Sequence, residues 1–92
     1  MYDKDLDTSW HVDIEFDEDD THTHATVRAR LADGETITTL GDAYRHPHDS
    51  GQPVIGEEIA AARALIALGT ELLQAASGRI EQATHHSVHL YR

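Results

Sequence analysis

The side chains with most chemistry to offer are histidines and carboxylates. The chain holds 8 histidines, many for 92 residues. They fall into groups: His22 and His24 two residues apart, His46 and His48 flanking Pro47, and His85, His86 and His89 near the end. A zinc site takes three or four donors converging at about 2.0–2.1 Å for nitrogen, usually with supporting hydrogen bonds behind them. His22, His24 and Glu15 supply three donors if neighbouring strands bring them together. No cysteine assists them and no His-Glu-x-x-His helix is present, so we expect exposed histidines and no metal or other cofactor. The same residues with Asp17 make a candidate pH-sensing group, because a carboxylate facing an imidazole favours its charged form. Protonating all 8 histidines would carry the formal charge from −10 to −2.

Nucleophilic and phosphate chemistry find no support. Ser9, Ser50, Ser77 and Ser87 sit in no nucleophile elbow, and the glycines form no phosphate-binding loop. Acids are abundant, but no pair is placed by a recognisable acid–base motif. We therefore expect a non-enzymatic protein.

Arginines are the candidate interaction residues. Arg28 and Arg30 share one strand face, Arg45 extends their line, and Arg63 lies on the flank of a helix. Arginines on a sheet can meet phosphates. Asp13, Glu15 and Asp17 on the adjoining strand favour internal ion pairs instead, and that face lacks the aromatic side chains on which RNA bases stack. Arg63 has Ile59 one turn before it, so it is expected to lie over the sheet edge or to pair with a strand or loop acid such as Asp42 or Asp49.

These side chains need elements to hold them. Residues 1–8 read as a polar, disordered lead-in and 9–92 as one α+β domain. Trp10, Val12, Ile14 and Phe16 alternate with His11, Asp13, Glu15 and Asp17, the pattern of a half-buried strand. A second strand turns Ala25, Val27, Ala29 and Leu31 inward and His24, Thr26, Arg28 and Arg30 outward. Asp33-Gly34 marks a hairpin turn, and a third strand covers about Thr36 to Tyr44, with Gly41 as a candidate bulge. Side-chain parity requires opposed residues of the first two strands to sum to an odd number. A tight turn at Asp19-Asp20 sets Glu15 opposite His24, Asp17 opposite His22 and His11 opposite Arg28.

A polar loop over Arg45 to Pro53 leads into a helix expected from Gly56, as N-cap, to Ser77, with Gly78 as its stop. Ile59, Ala62, Leu65, Ile66, Gly69, Leu72, Leu73 and Ala76 share its broad apolar face, which should cover the sheet. Ala60, Ala64, Ala67 and Arg63 fall on the opposite side. Ile80 to Thr84 predicts a short final helical turn, and Val88, Leu90 and Tyr91 an apolar tail. The expected core is Trp10, Val12, Ile14, Val27, Leu31, Ile66 and Leu73.

Composition narrows the classes of partner. The charge of −10 repels nucleic-acid phosphates and anionic lipid, which makes direct RNA binding doubtful. The N-terminus has no apolar signal core, and no apolar run is expected to reach the ~20 residues of a membrane span. With no cysteine, nothing demands an oxidising compartment, and a cytoplasmic location is expected.

Pro47-x-Asp49, Pro53-x-Ile55-Gly56-Glu57-Glu58-Ile59 and Ala62-Arg63-Ala64-Leu65, supported by Trp10-x-Val12-Asp13-Ile14 and Arg28-Ala29-Arg30-Leu31, resemble the signature of a small actinobacterial family of unknown function. That family includes hypoxia- and dormancy-induced mycobacterial proteins. The resemblance implies a fold like the double-stranded-RNA-binding domain, a homodimer, and a stress role related to ribosome hibernation. An acidic module that binds a basic protein partner is the alternative, and a pH- or metal-responsive histidine protein a third.

Overall fold

The computed structural model describes residues 8–45 and 53–84. Strands β1 (His11–Glu18), β2 (His22–Arg30) and β3 (Thr36–Tyr44) precede one helix, α1 (Pro53–Thr84). The strands form an antiparallel sheet in the order β1-β2-β3. The three-stranded meander with a long helix on one face is the architecture that the alternation predicts. Of the lead-in over residues 1–8, residues 1–7 fall outside the described residues, as does the apolar tail.

Each turn sets a register. Between β1 and β2 the Asp19 carboxylate accepts the Thr21 amide at 2.9 Å, and the Asp19 amide donates to the His22 carbonyl at 2.9 Å. Asp19 is held below the usual aspartate pKa, chiefly by that Thr21 amide. The last opposed pair is thus Glu18 with Thr23, which leaves four residues between the paired ends instead of two, and the register moves by two positions. Asp17 faces His24, Asp13 faces Arg28 and His11 faces Arg30, while Glu15 faces Thr26. The expected pairs are displaced, but the odd-sum parity holds because a shift of two keeps every side chain on its face. Between β2 and β3, Gly34 takes a φ of 92°, a left-handed conformation that glycine adopts without a Cβ penalty.

The helix differs from expectation at both ends. It begins at Pro53, whose missing amide is no loss in the first turn. Gly56 is therefore inside the helix and not its cap. At the other end α1 runs through Gly78 to Thr84, so the expected final turn is part of the same helix. A glycine inside a helix costs about 1 kcal/mol relative to alanine, which does not stop a long, otherwise favourable run.

The helix also presents a different face. Ala60, Ala64 and Leu68 are buried against Ala25, Val27, Ala29 and Ala43. Leu31, Ile37 and Leu72 pack against this cluster. Gly41 explains the inversion. A Cβ built there would fall 2.5 Å from the Ala64 amide nitrogen and closer still to the Ala60 carbonyl oxygen. Gly41 is no bulge: it pairs regularly with Ala25 and marks the closest approach of helix to sheet. Such an approach admits only small side chains, so the alanine stripe faces inward. Thr39 fastens the same point by donating its hydroxyl to the Ala64 carbonyl at 2.8 Å.

The large apolar residues are displaced to the periphery. Ile66 is 69% exposed, and Ile59, Leu65 and Ala62 are exposed too. Leu72, Leu73, Gly69 and Ala76 are half-buried, so the expected face holds only toward the C-terminal half. The helix lies across β2 and β3 and leaves most of β1 uncovered. Trp10 and Val12 are 50% and 47% exposed, and Ile14 and Phe16 are exposed beside them. Of the expected core, Val27 is fully buried and Leu31 and Leu73 partly so; the others are at the surface. By length and composition alone α1 is apolar enough to cross a membrane, contrary to the expectation from sequence. One stripe of it is committed to the sheet, and its length carries Glu57, Glu58, Arg63, Glu71, Arg79 and Glu81.

Candidate functional site

Even-numbered side chains of β2 and β3 project from the sheet face opposite the helix, and the titratable residues gather there. His22 and His24 stand two residues apart on β2, and Asp42 on β3 is paired directly with His24. One oxygen of Asp42, Oδ1, lies 2.7 Å from His22 Nε2 and 2.7 Å from His24 Nδ1. All three side chains are roughly two-thirds buried. The hydrogen bonds from His24 and then His22 hold the Asp42 carboxyl below the usual aspartate range. Tyr44 stacks on His22 with ring centroids 4.5 Å apart and planes 9° from parallel.

The candidate pH-sensing group is thus rearranged. His22 and His24 do find a carboxylate, but it belongs to Asp42 and not to Glu15. Glu15 instead pairs with Arg28 at 3.2 Å. Asp17, expected opposite His22, lies opposite His24 instead, on the side away from Asp42. A two-residue turn at Asp33-Gly34 would set His24 opposite Ala43; the observed connection closes between Leu31 and Glu35 and brings Asp42 level with His24 instead. His46, His48, His85, His86 and His89 lie outside the described residues.

The four candidate arginines do not form one patch. Arg28 is occupied by Glu15. Arg30 forms no ion pair with the described residues and lines an open depression of about 310 Å³ with His11, Asp13, Arg28 and Thr36. Arg45 turns to the β1–β2 connection, where its guanidinium donates to the Asp20 carbonyl and its amide donates to the Thr21 carbonyl. Arg63 donates to the main-chain carbonyl of Asp42 at 2.7 Å. The expected partner residue is therefore correct, but the acceptor is its backbone, because Arg63 reaches the edge of β3 from the helix. Asp49 lies outside the described residues.

A second electrostatic feature joins β1 to α1. Glu57 and Glu18 share a side-chain hydrogen bond, which raises the Glu57 carboxyl above the usual glutamate value. Thr23 donates its hydroxyl to Glu18 at 3.4 Å.

The described residues define a small α+β domain, an antiparallel three-stranded sheet with one long helix and a mixed-charge outer face. The chain belongs to the Rv2632c-like family, whose profile matches residues 8–89. It is similar to the uncharacterized protein MT1780 of Mycobacterium tuberculosis, with 38% identity over 81 residues, covering 88% of this chain and 85% of that protein. Similarity to the uncharacterized protein Rv2632c of Mycobacterium tuberculosis is 36% over 77 residues, covering 84% and 82% of the two chains. The crystal structure of Rv2632c superimposes with a TM-score of 0.79 at 33% identity, covering 88% of this chain and 95% of that one.

Proposed function

We propose that this protein is a non-catalytic, cytoplasmic stress- or dormancy-associated module that works as a homodimer, with the ribosome as its candidate target. The observation that carries the assembly is the uncovered apolar row of Trp10, just before β1, with Val12, Ile14 and Phe16 on it. Burying apolar surface stabilises by about 25 cal/mol per Å², so four large side chains left at the surface of so small a domain favour an occupant. A second copy presents the same row and can cover it symmetrically. The target follows from the family resemblance.

Sedimentation equilibrium at micromolar concentration is expected to give a dimer, and Ile14→Asp a monomer. A monomer at every concentration would remove the assembly. Ribosome co-sedimentation across a salt series tests the target. Steep loss of binding with salt supports contact with RNA phosphates. Binding only to an isolated basic protein supports the second reading, an acidic module for a basic partner. That reading is favoured by the occupation of Arg28 by Glu15, which leaves few free cations on the outer face.

A further inference from the structure

We propose that His22, His24 and Asp42 bind one divalent ion of the imidazole-preferring transition series, with zinc as the test ion. Two imidazoles and a carboxylate are a donor set for such ions and not for calcium or magnesium, which take oxygen. The arrangement departs from the sequence expectation because the third donor comes from β3 instead of β1. The donor atoms of the three side chains lie within 4.8 Å of one another. Ligands held at about 2.0–2.1 Å around a tetrahedral centre are roughly 3.3 Å apart, so the two 2.7 Å separations need to open by less than an ångström.

The scaffold suits this use. All three residues sit on paired strands, so the backbone fixes where each side chain originates. Tyr44 stacks on His22 and restrains that ring. Arg63 anchors the Asp42 main chain through its carbonyl, without competing for the carboxylate. Metal binding moves each ring proton to the other nitrogen, which turns lone pairs of His22 Nε2 and His24 Nδ1 toward Asp42 Oδ1, and the ion takes the place of the two hydrogen bonds. Asp17, across β1 from His24, is a carboxylate on the same face that can complete the coordination with solvent.

The other histidines would also take up zinc, so the experiment removes them. In the full chain with His11, His46, His48, His85, His86 and His89 changed to glutamine, zinc chloride is titrated calorimetrically. Circular dichroism confirms the fold of each variant. One zinc per chain is expected with micromolar or tighter affinity, with shifts confined to the His22 and His24 imidazole nitrogens in NMR, and no response to magnesium. His22→Gln, His24→Gln and Asp42→Asn are each expected to weaken binding by at least ~10-fold, the loss seen when even the supporting shell of a metal site is disturbed. Binding that is absent below about 100 μM, or that changes less than this in all folded variants, would overturn the site. So would a stoichiometry of one zinc per two chains. Only the last of these outcomes involves pairing of two chains, and none depends on the ribosome.

Discussion

Gly41 on β3 lies so close to Ala64 on α1 that no side chain fits between them: a Cβ would stand 2.5 Å from the Ala64 amide nitrogen. This one approach decides which stripe of the helix faces the sheet. Gly41→Ala is therefore expected to destabilise by about 1–3 kcal/mol, the usual cost of overpacking, and possible relief by helix displacement is restricted by the Thr39 bond to Ala64. Urea denaturation checks it. A change under about 0.5 kcal/mol, ordinary for a surface site, would show that the helix sits farther from the sheet.

Core truncations separate the two helix faces. Leu68→Ala removes a buried side chain and is expected to cost about 2–5 kcal/mol. Ile66→Ala, on a residue that is 69% exposed, is expected to cost no more than about 0.5 kcal/mol at protein concentrations where the monomer prevails. Chemical denaturation of both variants tests the ordering, and a reversal would restore the face read from periodicity.

Acidification acts through Glu57. Its carboxyl is raised by the hydrogen bond with Glu18, so the folded state holds that proton more tightly than the unfolded chain does. The stabilisation this brings is absent well above the folded value, grows as pH falls through it, and is complete below the unfolded value of about 4.3. Glu57→Gln supplies a permanent donor to Glu18. It is expected to melt above the wild type at pH 7, with the difference shrinking toward pH 4.5. Equal melting temperatures across that range would show that the two carboxylates do not interact.

Ser77 is 2% exposed, and its hydroxyl oxygen has no hydrogen-bond partner among the described residues. Ser77→Ala removes the unsatisfied group and improves helix propensity, so it is expected to be neutral or stabilising by up to about 1 kcal/mol. A loss of stability in thermal melts would mean that the hydroxyl finds a partner in solution.

Much of this was legible in the chain. Alternation marked all three strands, Asp33-Gly34 marked the hairpin, and parity placed the histidines on the outer face. The register of β1 was not legible, because the turn in which the Asp19 side chain bonds the Thr21 amide is two residues longer than a tight one. The helix face was misread for a related reason. Periodicity ranks side chains by hydrophobicity, whereas Gly41 selects them by size, and large residues such as Ile59 and Ile66 lose that selection. The same small-residue packing pulls α1 over β2 and β3, leaving Trp10 and its neighbours outside. For the site, His22 and His24 were evident, but their partner depended on lateral strand order, which brings Asp42 beside them.

The bond from Arg63 to the Asp42 carbonyl has a directional effect on assembly. β3 is one of the sheet's two edges, and a guanidinium seated on its backbone obstructs the approach of another strand. Growth by strand addition is then restricted to β1. A sheet that can extend on one side only terminates once two copies meet there, so in the proposed dimer this arginine would disfavour open-ended growth.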